Sequence, residues 1–260
     1  MSENQSGTHP AGGAFCSRSN AGDAASLSTR KSGDSLGGTV AECSPMFTGV
    51  MAGDYTGIFA AARVREYARG EMLYIEGEPV QQVALLTSGF VKMNKLGLNG
   101  AEVILRLGVT GDVLGAEDLT STGKHCTTAQ AFRLCRTLVW DAPAFKVLLQ
   151  RYPVLHQNMV RILGAHLLEL EERFREVATE RVGPRVARQL VRLREKIGRP
   201  VNGAVEIGLS REELAQMTGT TLFTVSRLLS AWEALGMVSP RREAVTICDI
   251  QSLRAMSEES

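Results

Sequence analysis

Four textures of apolar and polar positions succeed one another along the chain. Residues 1–45 are rich in Ser, Gly, Ala and Thr and carry few large apolar side chains. Such a stretch cannot bury enough surface to offset the entropy of ordering, which predicts a disordered tail. From about Tyr55 short apolar runs appear: LYIE, QVALLTSGFVKMN, EVILRLG and TLVWDA. Gly77, Gly89, Gly100, Gly111 and Gly115 punctuate them at intervals of 12, 11, 11 and 4. Runs of this length between glycines predict antiparallel strands in hairpins that turn back every ten or so residues, closing a small barrel over residues 46–152.

From Pro153 to about Glu180 the apolar positions Val160, Leu163, Leu167, Leu170, Phe174 and Val177 recur at steps of 3, 4, 3, 4 and 3, with charge on either side. This predicts one long helix over residues 153–180. Its stripe suits either a helix packed on its own barrel or, better, the seam of a two-stranded parallel dimer. A further helix begins at Gly183-Pro184 and runs to about Ile197. Then SREELAQMTGTTLFTVSRLLSAWEAL, Ser210 to Leu235, reads as two short helices broken at Gly219. Leu214 and Ala215 face inward on the first; Val225, Leu228, Leu229 and Trp232 mark the buried face of the second. VEIGL and MVSPRREAVTIC are expected to be strands bracketing this pair, joined by a charged turn at Pro240 to Glu243. Residues 181–255 thus predict a winged helix-turn-helix, whose bland alternative is an ordinary helical hairpin.

A groove-reading helix needs outward side chains that can bond base edges or touch thymine methyls. Phe223, Ser226, Arg227 and Ser230 occupy that outer face. Leu222 precedes them, and Thr221 and Thr224 are placed for phosphate oxygens at the helix start. Net charge is only +1, but between Arg181 and Arg199 seven basic residues face one acidic one. That excess reads as a solvated face or, beside such a motif, as phosphate-neutralising, with Arg188 and Arg192 the candidates. Arg241 and Arg242 at the wing tip are expected near the backbone.

The 44% hydrophobic content over 260 residues suffices for two cores. Apolar runs are too short for a membrane span, and the polar start lacks a signal peptide's core, so a cytoplasmic location is expected. Cys16, Cys43, Cys126, Cys135 and Cys248 are odd in number and have no Cys-x-x-Cys pair. They fit neither a disulfide scaffold nor a zinc ribbon, and a redox role for Cys126 stays open. No phosphate loop, metal-ligand spacing or nucleophile elbow appears, and the histidines are scattered, so no enzyme is expected.

The order barrel, long helix, winged helix-turn-helix resembles the Crp/Fnr family of bacterial transcription regulators from about residue 55 to 250. The glycine spacing, GDVLGAEDL and REELAQMTGTTLFTVSRLL carry the resemblance. It implies an α+β protein: an antiparallel β-roll or jelly-roll barrel of the cyclic-nucleotide-binding type, a dimerisation helix and a C-terminal winged domain. It also implies a homodimer on a two-fold symmetric site in double-stranded promoter DNA, with RNA polymerase as a further partner. The implied effector pocket is Gly115, Ala116, Glu117, Cys126 and Thr127. Members that bind cyclic AMP grip the phosphate with an Arg-Ser pair and the ribose with a Glu; here Cys126 and Thr127 stand at the pair, and Ala116 follows Gly115. Strong cyclic AMP binding is therefore not expected. Cys16 and Cys43 are too few and too far apart for the family's four-cysteine iron-sulfur cluster. A haem with His125 as axial ligand stays open, against the plainer reading of His125 as a surface residue.

Overall fold

A computed structural model describes residues 44–258. Residues 1–43, nearly all of the stretch read as a tail, lie outside the described residues, as do Cys16 and Cys43. The last two residues of that stretch belong to the fold: Ser44 caps a 3-10 turn, Pro45–Phe47, and its hydroxyl donates to the Gly111 carbonyl at 2.5 Å.

Eight strands build the N-terminal domain: β1 (Arg63–Tyr67), β2 (Met72–Tyr74), β3 (Gln82–Ser88), β4 (Val91–Leu96), β5 (Glu102–Gly108), β6 (Val113–Leu114), β7 (Thr128–Ala131) and β8 (Cys135–Asp141). They form two antiparallel sheets, ordered β1-β8-β3-β6 and β2-β7-β4-β5. This jelly-roll order corrects the expectation of successive hairpins. In the two sheets, the pairing of strands adjacent in the chain is β4 with β5, around Gly100. The other glycines mostly mark crossings between sheets. At Gly89, between β3 and β4, φ is 86° and a Cβ would lie 2.4 Å from the Leu134 carbonyl oxygen, so only glycine fits.

Burial on both faces explains the nearly continuous apolar run of β3. Side chains alternate between faces along a strand. Val83 and Leu85 therefore pack with Trp140, Phe145 and Leu155 toward the helices, while Leu86 meets Val91, Met93 and Ala129 between the sheets. The helices on that outer face are α1 (Tyr55–Phe59), α3 (Ala142–Arg151) and the first turns of α4 (Pro153–Thr179); α2 (Ala116–Thr120) follows β6. The Trp140 indole donates to the Ile58 carbonyl at 2.8 Å, satisfying its one polar group.

Beyond α4 come α5 (Val182–Ile197), β9 (Arg199–Val201), β10 (Ala204–Ile207), α6 (Arg211–Thr218), α7 (Leu222–Ala234), β11 (Val238–Pro240), β12 (Val245–Ile247) and α8 (Ile250–Glu258). The strands form a sheet ordered β11-β12-β10-β9, so the helix pair is winged. β9 and α8 are elements the sequence reading does not contain. The core of this domain, with Val186, Leu190, Leu214, Val225, Leu229, Trp232 and Leu253, also takes in Ile104, Leu107 and Phe132 from the barrel. It therefore packs on β5, an edge strand whose unpaired backbone would otherwise face water. None of the described helices is long and apolar enough to cross a membrane.

Candidate nucleic-acid interface and ligand pocket

The helix pair is fixed by its caps. Ser210 accepts from the Glu213 amide while the Glu213 carboxylate accepts from the Ser210 amide, a reciprocal capping box. Gly219 ends α6 at φ 60° and ψ 43°, the left-handed conformation that turns the chain into α7. Thr221 caps α7 by accepting from the Thr224 amide, and the two threonine hydroxyls bond each other at 2.9 Å. That shared bond uses one of the two hydroxyl protons, leaving the other for a phosphate oxygen.

Val225, Leu229 and Trp232 are buried, and Leu228 is partly buried against the same core. The opposite face is open: Phe223 is 76% exposed, and Leu222, Arg227 and Ser230 are exposed with it, while Ser226 is half-buried. Arg241 and Arg242 lie exposed in the tight turn between β11 and β12, where the Arg241 amide donates to the Ala244 carbonyl at 2.7 Å. The next residue, Glu243, pairs with Arg69 of the β1–β2 turn at 2.9 Å.

Arg188 and Arg192 are engaged within the fold. Arg192 donates through both terminal nitrogens to Glu176 on α4, at 2.5 and 2.9 Å. Arg188 pairs with Glu180 at 2.5 Å and donates to the Ser257 carbonyl. Arg185 is buried and donates to the carbonyls of Thr218, Val177 and Glu180, and Lys196 meets Glu169 at 3.0 Å. The basic face of α5 is thus turned onto the acidic face of α4. An excess counted over residues 181–199 misses this because the partner carboxylates lie just upstream of that window.

Along α4, Val160, Leu163, Leu167, Leu170, Phe174 and Val177 are all exposed, as is Leu168. The apolar stripe is therefore not spent on the barrel. One side of α4 does meet it, around a cavity of about 220 Å³ that Glu117, Cys126 and Thr127 line. Gly115 and Ala116 do not line it. Ala116 is 2% exposed in the core with Leu85 and Val113, and Gly115 is a left-handed residue capping α2. The chain enters α2 with Ala116 pointing inward, which turns the next side chain, Glu117, to the cavity.

The cavity holds chemistry the sequence reading does not single out. Arg106 of β5 reaches Asp112 at 3.3 Å and Glu117 at 3.7 Å. Burial still pushes the Glu117 carboxyl above its usual range, ahead of the lowering by a backbone hydrogen bond and Arg106. Arg173 of α4 donates to the carbonyls of Leu105, Ile104 and Met217, tying barrel, long helix and α6 together.

His125 is a buried residue, correcting the plainer surface reading. Its ring stacks on Tyr74 with centroids 3.8 Å apart, and Nδ1 lies 3.2 Å from Asp118. This imidazole is thus part of the barrel's packing. Burial would raise Asp118, but its hydrogen bonds with His125 and Cys126 win and hold it below the usual carboxylate range. That carboxylate in turn holds the exposed Cys126 thiol above its usual range, the opposite of what a reactive thiolate needs. Among the described residues no cluster of three His, Cys, Asp or Glu side chains forms a metal site.

Comparison with known proteins agrees with this architecture. The cyclic nucleotide-binding domain family matches residues 64–152, and the Crp-like helix-turn-helix domain family matches residues 184–256. The chain is similar to the CRP-like cAMP-activated global transcriptional regulator of Mycobacterium tuberculosis, with 25% identity over 190 residues, 72% of this chain and 85% of that one. It is also similar to the cyclic AMP receptor protein of Thermus thermophilus, with 28% identity over 196 residues, 75% of this chain and 88% of that one. In fold it resembles FixK2 from Bradyrhizobium japonicum, with a TM-score of 0.67 and 23% identity, covering 76% of this chain and 98% of that chain.

Proposed function

Because the chain belongs to the Crp/Fnr family of bacterial transcription regulators, which are not enzymes, we propose that it acts as a homodimer reading a two-fold symmetric promoter site. In this reading residues 46–152 sense a signal, residues 153–180 join two protomers, and residues 181–255, extended by the rest of α8, bind DNA in the cytoplasm, with RNA polymerase as a further partner. One observation carries the proposal: a dimeric reader needs an uncovered apolar seam for its second copy and an uncovered helix face for the base edges, and both are here. One is the α4 seam and the other is the Leu222–Phe223 start of α7. A seam of six exposed apolar side chains on one helix is costly in water and is relieved by a second copy. Two α7 helices so paired present the same outer face to successive major grooves.

Thr221, Thr224, Arg241 and Arg242 hold phosphates in this reading, while Leu222, Phe223, Ser226 and Arg227 face the bases. Arg188 and Arg192 drop out, since their charge is used on Glu176 and Glu180. The signal enters through the cavity between barrel and α4. Leu163 and Leu170 line that cavity and belong to the seam, so a ligand there touches the dimer contact directly. Cyclic AMP fits it poorly. Glu117, Asp118 and Glu169 bring three carboxyl groups to the walls, and Arg106 and Arg173 are already engaged. A desolvated phosphate beside them would find no free cation among the described residues of the cavity. Footprinting on the chain's own promoter tests the whole reading. A symmetric protected site without added cyclic AMP is expected; no protection at any protein concentration would overturn it.

A further inference from the structure

A second cavity, of about 320 Å³, lies on the flank of the barrel where each sheet ends in an edge strand, β1 or β2. It shares only Tyr74 with the first cavity. Tyr74 and His125, stacked on each other, stand between the two. The Nδ1 of His125 is turned to Asp118 on the first cavity's wall, while the residue itself lines the second. The volume is at the lower end of the range of about 300–1,000 Å³ usual for small-molecule sites.

The polar chemistry of this second cavity is unspent where it is deepest. Tyr67 of β1 is 2% exposed, yet its hydroxyl makes no hydrogen bond among the described residues. His125 is 5% exposed, and with Nδ1 turned to Asp118 its Nε2 has no partner among them either. Neither atom is sealed in as the unpartnered Asn94 Oδ1 and Gln216 Oε1 are, so both reach the open space that their residues line. The floor beside them is apolar, from Ala84, Leu114 and Val139, all buried. The mouth carries Arg65, Glu78 and Gln81, all exposed. Arg65 bonds the Gln82 amide oxygen at 3.4 Å, and among the described residues neither it nor Glu78 forms an ion pair.

One charge of each sign at a mouth open to water discriminates little, so selection falls to the two deep groups. An apolar occupant would leave the phenol and the imidazole nitrogen desolvated and unpaired. A flat aromatic occupant would need open ring faces, and one face of each tyrosine is already taken: Arg65 lies over Tyr67 at 4.6 Å, and His125 covers Tyr74. A hydroxyl group both donates and accepts, so it satisfies the phenol and either tautomer of the imidazole. We propose that this cavity binds a small neutral polyol of monosaccharide size. Its hydroxyls meet Tyr67 Oη and His125 Nε2, its carbon skeleton lies against Leu114 and Val139, and Gln81 closes over it at the mouth. Binding here is independent of DNA reading and of the first cavity's ligand.

The test uses the full chain, with D-glucose, D-galactose and myo-inositol as probes and phenylalanine, benzoate and adenine as controls, at millimolar concentration. Calorimetry and saturation-transfer NMR should register at least one polyol, and no control should match it. The Tyr67 hydroxyl holds nothing in the described fold, so Tyr67→Phe should leave the melting temperature unchanged while weakening polyol binding about five-fold, the loss of one hydrogen bond. Cys126→Ala, which alters only the other cavity, should bind the polyol as the parent chain does. No response to any of the three polyols, an equal or stronger response to the zwitterion, the anion or the flat base, or polyol binding that is undiminished in Tyr67→Phe or fails in Cys126→Ala would overturn the proposal. A chain that binds a polyol yet protects no promoter site would instead count against the regulatory reading.

Discussion

Glu176 of α4 accepts both terminal nitrogens of Arg192 of α5, and its carboxylate is only 3% exposed. Arg192→Ala leaves that acid buried beside Arg188 alone. Breaking a buried pair costs about 3–5 kcal/mol, and the partial exposure of the guanidinium reduces this to roughly 1–3 kcal/mol. Thermal or urea unfolding should show that loss. The salt dependence of DNA binding should keep its slope; a slope lower by about one unit with unchanged stability would return Arg192 to the phosphate backbone.

Leu167 lies mid-seam and is 56% exposed in the single chain. Leu167→Asp would place an unpaired carboxylate in an apolar interface while disturbing no core of the protomer. Light scattering should show a monomer with an unchanged melting transition, and operator binding should disappear with the dimer. A dimer that survives the substitution would locate the interface elsewhere.

Arg227 projects from the open face of α7, one turn beyond Phe223. Its guanidinium can bond guanine O6 and N7 together, so Arg227→Ala should cost about 1–3 kcal/mol per half-site and relax preference at one base pair. Binding-site selection measures this. A variant that keeps the parent's preference while binding all sequences more weakly would make Arg227 a backbone contact.

Arg173 donates to two carbonyls of β5 and one of α6. Arg173→Met keeps the length and removes the donors. Hydrogen bonds to a charged group contribute about 1.5–3 kcal/mol, and a loss of that order is expected in unfolding. Amide exchange should quicken at Ile104 to Leu107 and around Met217 together, because one side chain holds both. Exchange confined to one of the two would show that they are not coupled through it.

His166 sets an acid sensitivity. Its folded pKa of about 4 lies below the ordinary 6.5, so the unfolded chain takes up a proton that the folded chain refuses. Stability contributed by the neutral ring is present above 6.5, falls as pH drops from 6.5 to 4, and levels off below. Glu117 and Asp112, both raised chiefly by burial, act oppositely, since the folded chain accepts their protons first. His166→Gln should therefore lessen the drop in melting temperature between pH 6.5 and 4; an unchanged drop would assign it to other groups.

What could be read without coordinates follows from locality. Gly219, Ser210 and the Val225–Trp232 stripe act within a turn or two of the chain, and the seam is a period on a single helix, so these are legible in order. The role of Arg188 and Arg192 is not. A charge count sees their number but not that α5 folds back to face Glu176 and Glu180. Ala116 is not legible as a core residue for a similar reason: the left-handed Gly115 rotates the chain so that Glu117, not its neighbour, meets the cavity. The burial of His125 is hidden from the sequence because its partners Tyr74 and Asp118 come from β2 and α2, which approach it only once the sheets form. The apolar positions of α8, Ile250, Leu253 and Met256, make too brief a stripe to distinguish a helix from a polar tail.

The interleaved order of the two barrel sheets also governs when this chain can fold. Arg63 of β1 finds its partner only at Val139 of β8, and β2 waits for β7. Contacts so distant in sequence pay their loop-closure entropy before any pairing rewards it, which makes such sheets slow to form. The β4–β5 hairpin is the local start available to the barrel, and α5 likewise waits for α8 to pack on it. During synthesis β1 must therefore remain unpaired until β8 emerges, and the DNA-reading half, made last, covers the edge of β5, a strand of the barrel's first hairpin.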